Sequence, residues 1–250
     1  MKSIKIYALA LGLLAVFAGC QNDVVKPLEN DKEAPAPVRD VTYTKMSGSV
    51  LLTYTLPSDP DLLYVAASYT NKAGKKYEFK ASYFTNTLLV EGFGDTDTYS
   101  LDVYAVDRSE NYSEPVNIQV AADTPPVQAA YETLEVQPDF GGMTFSFDNA
   151  SKADLTVYVS TPNADNEMVN AETFYTGLAK ATFSVRGFLD VPRDFEICFE
   201  DKWGNRSPVK KENLTPIYEA ELDKKKFKEV LAEVKQNFKE KKAGFLICIK

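Results

Sequence analysis

The motif Asp107-x-x-x-Asn111-x-Ser113 recurs 94 positions later as Asp201-x-x-x-Asn205-x-Ser207. Two further register points agree with that offset. Gly92-Phe93 and Gly187-Phe188 lie 95 apart, each just ahead of the longest strand-like run of its half, and Asp61-Leu62 and Asp154-Leu155 lie 93 apart. Three register points within two residues of one another mark a tandem duplication. The duplication bounds the fold, because each copy must close its own core in fewer than about 100 residues, the size of a small single domain.

The first copy reads as seven short strands: 41–45, 49–56, 62–70, 76–83, 86–93, 99–107 and 116–121. They alternate or carry β-branched residues, and SG, PSDPD, KAGK, GDTD and RSEN turns separate them. No segment of this half sustains apolar residues at helical spacing. Seven such strands in about 85 residues indicate an immunoglobulin-like or fibronectin type III-like β-sandwich. The chain is therefore expected to be all-β, with a first sandwich at 38–122 and a second at 129–217. DTPPVQ (123–128), with two prolines, reads as the linker.

The repeated motif has a local physical reason. Each copy follows a strand of alternating apolar residues, Leu101, Val103 and Ala105 or Phe195, Ile197 and Phe199. A short aspartate there accepts backbone N–H bonds across the turn, while Asn or Gly takes the left-handed conformation of a tight hairpin. Asp107 and Asp201 are thus expected to form turns rather than catalyse. Tyr99, early in its strand, suggests a tyrosine corner, which Arg193 at the aligned position does not repeat.

The N-terminus carries a separate signal. Lys2 and Lys5 precede an apolar run, Ile6 to Phe17, and Ala18-Gly19 then supplies the small residues a peptidase needs. Cys20 directly after them reads as a lipobox: residues 1–19 are a signal peptide, and the mature chain begins at an acylated Cys20 that partners a lipid membrane. Polar, Pro-rich residues 20–37 then form a flexible tether.

Composition narrows the chemistry. The 28 Lys and Arg against 36 Asp and Glu give a net charge of −8, which loss of Lys2 and Lys5 takes to −10. Such a balance argues against nucleic acid as a partner. The chain has no histidine, which removes Ser-His-Asp and Cys-His catalysis and makes catalytic zinc improbable. Its three cysteines are Cys20, Cys198 and Cys248, with Cys198 read as a buried free thiol. No carboxylate pair among the 36 acids stands out as a glycosidase dyad. The expectation is a protein that is not an enzyme.

Two constellations remain. Trp203, the single tryptophan, falls at a hairpin tip beside Lys202, Asn205 and Arg206. An exposed indole there would stack on a sugar while its neighbours bond hydroxyls. Asp59, Asp61, Asp107 and Glu110 fall on loops that share one end of such a sandwich, an arrangement suited to a structural calcium ion. No other cofactor is implied.

TYTLPSDPDLLYV (53–65), VEGFGDTDTYSLDVYAVDRSENYSEPV (90–116), DFGGMTFSFDN (139–149) and FEDKWGNRSP (199–208) resemble the tandem fibronectin-like lipoproteins of Bacteroidota. That group accompanies outer-membrane glycan-uptake systems of the starch-utilisation type. The resemblance spans about residues 36–226 and implies an outer-membrane lipoprotein that works with polysaccharide and glycan-uptake proteins. Members usually continue into a discoidin-like domain. Residues 218–250 instead form a Lys-rich tail, with an amphipathic helix expected at 224–241, and read as a truncated or frame-shifted ending. Acidic residues after the lipid cysteine favour the outer face in that group, and Gln21-Asn22-Asp23 matches this in part, so surface and periplasmic placements both stay open. Two functions stay open as well, an accessory glycan-binding lipoprotein or a structural spacer whose binding domain is gone.

Overall fold

The computed structural model describes residues 31–218. The signal peptide expected at 1–19, Cys20, the start of the expected tether, Cys248 and the helix expected at 224–241 lie outside the described residues. The described residues divide into two compact units, the first running up to Glu91 and including Asp97–Ala122, the second running from Asp123 and including Gly92–Thr96.

The first unit contains seven strands, β1 (Arg39–Met46), β2 (Ser49–Thr55), β3 (Leu62–Thr70), β4 (Lys76–Ser82), β5 (Thr87–Glu91), β6 (Tyr99–Asp107) and β7 (Val116–Val120). They form a three-stranded sheet β1-β2-β5 and a four-stranded sheet β4-β3-β6-β7, with every neighbouring pair antiparallel. Strand β4 returns beside β3 while β5 crosses to the other sheet, the order of a fibronectin type III-like sandwich. Alternation along the strands sends Val50 and Leu52, Val65 and Ala67, and Leu101, Val103 and Ala105 into the core, where each is fully buried.

The second unit repeats the plan with β8 (Glu135–Asp139), β9 (Gly142–Asp148), β10 (Leu155–Pro162), β11 (Met168–Thr176), β12 (Lys180–Arg186), β13 (Arg193–Asp201) and β14 (Lys210–Leu214). Its sheets are β12-β9-β8 and β11-β10-β13-β14. Phenylalanine dominates this core. Phe147 meets Phe199 edge-on with centroids 4.7 Å apart, and Phe174 stacks on Phe183 at 4.5 Å. At the start of β9 a Cβ on Gly142 would sit 1.8 Å from the Val185 carbonyl oxygen of β12, so only glycine lets these two backbones approach.

The linker read at 123–128 is corrected by a helix, α1 (Pro126–Glu132), which begins inside it. Pro126 at the first helical position loses no bond there, because that N–H has no partner within a helix. Val127 and Ala130, three apart on one face, are buried in the second unit's core cluster. Among the described residues, no helix is long and apolar enough to cross a membrane.

Candidate functional site

The duplicated motif builds two hairpins that match bond for bond. In the first, Asp107 Oδ1 accepts the N–H groups of Ser109 and Asn111 at 2.8 Å each, and its Oδ2 accepts Asn111 Nδ2 at 2.8 Å. In the second, Asp201 Oδ1 accepts Trp203 N and Asn205 N, and Oδ2 accepts Asn205 Nδ2, all at 2.9 Å. The serines close the base. Ser113 Oγ accepts Ala105 N and Ser207 Oγ accepts Phe199 N, both at 3.0 Å. Asp107 is fully buried and Asp201 is 9% exposed, so each carboxylate exchanges water for two backbone donors and an amide. Both aspartates form turns, as their spacing suggested.

The left-handed residue of the second hairpin is a glycine as expected, Gly204 at φ 84°, whereas in the first it is Glu110 at φ 63°, which corrects the expectation of Asn or Gly there. Each asparagine is committed to its aspartate instead.

Trp203 therefore sits on a hairpin whose backbone is held from beneath, and it is partly buried. The Lys202 ammonium lies 5.1 Å from the centre of the indole. Arg206 Nε donates to Glu200 at 2.5 Å, and its guanidinium stands 5.5 Å from the Tyr158 ring centre. Beside Lys202 opens a shallow cavity of about 400 Å³, with Thr156, Tyr175 and Asp154 in its wall. Tyr175 is 76% exposed. The structure thus adds an exposed aromatic side chain near Lys202 that the sequence reading missed. Its signal was an aromatic residue at an outward position of β11, next to Phe174, which points inward.

The acidic candidates come together in part. Carboxylate oxygens of Asp61, Asp107 and Asp31 all lie within 4.8 Å of one another. Asp59 approaches through its Oδ1, which accepts Asp61 N at 3.4 Å. Glu110 is not one of the three. Asp31, read as tether, joins because Asn111 Nδ2 donates to its Oδ1 at 3.1 Å and Ser109 Oγ accepts its N–H at 3.1 Å. A hydrogen bond with Asp59, then burial and the negative charges of Asp59 and Asp107, push the Asp61 carboxyl above the usual range. Oxygen-only donors of this kind suit a hard cation chemically, but Asp107 already spends both oxygens on the hairpin.

Comparison with known proteins divides the chain at the same place as the fold. Residues 35–122 match the family described as "Domain of unknown function (DUF4959)", and residues 123–225 match "Domain of unknown function (DUF5126)". Among solved structures the chain is similar to a SusE-like protein, 34% identical over 40% of this chain and 34% of that one, with a TM-score of 0.34. The chain thus spans about a third of the length of that protein. It is also similar to a two-domain fibronectin type III segment of chicken tenascin, 15% identical over 72% of this chain and 99% of that one, TM-score 0.34. The alpha chain of the chicken interferon gamma receptor aligns at 11% identity over 74% of this chain and all of that one, TM-score 0.30. No curated protein matches.

Proposed function

We propose that this chain, a DUF4959 half followed by a DUF5126 half, is a non-catalytic, lipid-anchored envelope protein that binds glycan as an accessory to polysaccharide uptake. Support for the setting comes from the lipobox at Cys20 and from the resemblance of the turn motifs to glycan-uptake lipoproteins. The observation that carries the binding part is the clasped hairpin of the second unit. It holds Trp203 and Lys202 on a backbone fixed by Asp201, and Lys202 shares the wall of a cavity with the exposed Tyr175. Rigid aromatic side chains next to a few polar groups form the usual lining of small-ligand sites, and they lose little entropy on binding.

A second reading, a spacer without a ligand of its own, is favoured by one observation. Asn205 and Arg206, expected to bond sugar hydroxyls, are already spent on Asp201 and Glu200. Affinity electrophoresis and titration calorimetry of the mature chain against amylopectin, laminarin and galactomannan separate the two. Binding is expected for at least one, and Trp203→Ala should weaken it about tenfold, the scale of one lost stacking contact. Failure of the wild-type chain to bind any of them would leave the spacer reading.

A further inference from the structure

The second unit leaves apolar side chains exposed at one end, the end where β13 begins and opposite its clasped hairpin. Phe140 stands in the turn from β8 to β9, Leu189 and Val191 in the loop from β12 to β13, and Ile217 and Tyr218 just past β14. Their exposures run from 46% at Ile217 to 75% at Leu189. Backbone bonds hold the three segments side by side. Ile217 bridges Phe140, its N–H donating to the Asp139 carbonyl at 2.9 Å and its carbonyl accepting Gly141 N at 2.8 Å. Phe188 N donates to the Gly141 carbonyl at 2.9 Å. Single exposed apolar residues need no explanation, whereas five gathered at one end form a patch of the kind that marks a contact.

The duplication shows that a sandwich of this plan closes without such a cap. At the positions 94 or 95 residues earlier, Leu189, Val191, Ile217 and Tyr218 correspond to Gly94, Thr96, Asp123 and Thr124. Only Phe140 keeps an apolar counterpart, Met46. The apolar residues of the second unit's cap thus gather where the chain runs on past Tyr218, and the fold itself does not call for them.

We infer that residues 224–241 of this chain, which lie outside the described residues, dock on this cap. Reach, spacing and charge select them as the occupant. Five residues, 219–223, separate the segment from Tyr218, which is itself part of the cap, so its start stays within roughly 20 Å of that residue. So short a connection keeps the segment at high effective concentration. Phe227, Val230, Leu231, Val234 and Phe238 recur at helical spacing, which on a helix is one apolar stripe. Seven lysines and three glutamates make the same segment cationic.

The end of the second unit has the opposite balance. Arg193 Nη1 donates to the Pro162 carbonyl at 2.6 Å, which sets the turn from β10 to β11 beside the cap loop. Asp165 and Glu167 are exposed on that turn, Asp190 is exposed between Leu189 and Val191, and Asp139 and Asp194 stand nearby. The cations of this end are Arg186, which donates to Asp139 at 3.3 Å, and Arg193. Further along β14, Lys210 and Lys211 are paired with Glu212 and Glu196 at 3.1 and 2.6 Å. An apolar patch with an acidic rim complements an apolar stripe flanked by lysines. The docking goes beyond the glycan reading and does not depend on it.

Hydrogen–deuterium exchange of the full mature chain, unacylated through Cys20→Ser, reads both sides of the contact. Leu231→Asp combined with Val234→Asp is expected to speed exchange of peptides covering 139–142 and 186–192 about tenfold, while Glu233→Gln, off the stripe, leaves it unchanged. Leu189→Ser combined with Val191→Ser, at exposed loop positions that the core does not use, is expected to speed exchange across 227–238 by a similar factor. Equal exchange of the cap peptides in the wild type and in the Leu231→Asp, Val234→Asp chain would overturn the inference. Protection that rises with protein concentration, alongside a dimer in sedimentation, would overturn it too, because a second copy would then be the cover. Exchange across 227–238 that slows only on vesicles of phosphatidylglycerol would assign the segment to a membrane surface and likewise overturn it.

Discussion

Asp61 is a residue whose negative charge the fold disfavours. Its carboxyl shares a hydrogen bond with Asp59 and faces the negative charge of Asp107, which together with burial raise its pKa. A carboxyl that holds its proton more tightly in the folded than in the unfolded chain adds stability at low pH. That contribution disappears as pH rises from the ordinary carboxylate value through the raised one. Asp61→Asn should therefore melt higher than the wild-type chain near neutral pH and no higher near pH 4, about the unperturbed carboxylate value. Thermal melts across that interval check it, and a variant that melts lower at neutral pH would show that the ionised group is held favourably. The meeting of these carboxylates was half legible in the sequence. Asp61 and Asp107 follow from sandwich topology, but Asp31 sat in a stretch whose composition reads as tether. Side chains 80 and 78 positions away, Asn111 and Ser109, tie it down.

At the scale of single elements, the clasped hairpin is where sequence and structure agree best, because its bonds join residues two to eight apart. Local chemistry of that range is written in spacing. The left-handed residue of the first hairpin was not, since Asn is a usual occupant of that conformation and here is drawn away by the aspartate. The second hairpin meets the requirement with Gly204, the first with Glu110. Glu110→Gly should thus relieve backbone strain and raise stability by roughly 0.5–1 kcal/mol, read as a shift in denaturant midpoint. An unchanged or lowered midpoint would show that the Glu110 side chain contributes more than its backbone costs. Helix α1 was missed for the opposite reason. Seven residues give too few turns for periodicity, and the prolines before it look like a linker. The legible signal was Pro126 at the first helical position followed by apolar residues three apart.

For the whole molecule, the duplication and the alternating strands were enough to give two sandwiches, because each core is made by period-two patterns that survive in the sequence. The tyrosine contacts on the outward face of the β4-β3-β6-β7 sheet, Tyr64 to Tyr112 and Tyr112 to Tyr104, were not legible. Tyr64, Tyr104 and Tyr112 are brought together by pairing across strands and by a bulge between Leu62 and Tyr64, and spacing along the chain does not reveal either. The place of α1 also decides how the halves can be separated. A fragment of residues 123–218 retains Val127 and Ala130 in the second core, whereas one of residues 133–218 does not. Removing them exposes about one buried valine and one alanine, so the shorter fragment should lose about 3 kcal/mol or fail to fold, as urea titration of the pair would show. Equal stability of the two would mean that α1 only rests on the core.

The two clasps share every anchoring bond, yet the residues they hold up are unalike, Ser109-Glu110 in one and Trp203-Gly204 in the other. Anchor and cargo are therefore separable. Substitutions at the tips leave the three anchoring side chains untouched, so a lineage built on this frame is free to alter what its tips display with little penalty in folding. Exchange of the two tip pairs between hairpins is the mildest form of that freedom.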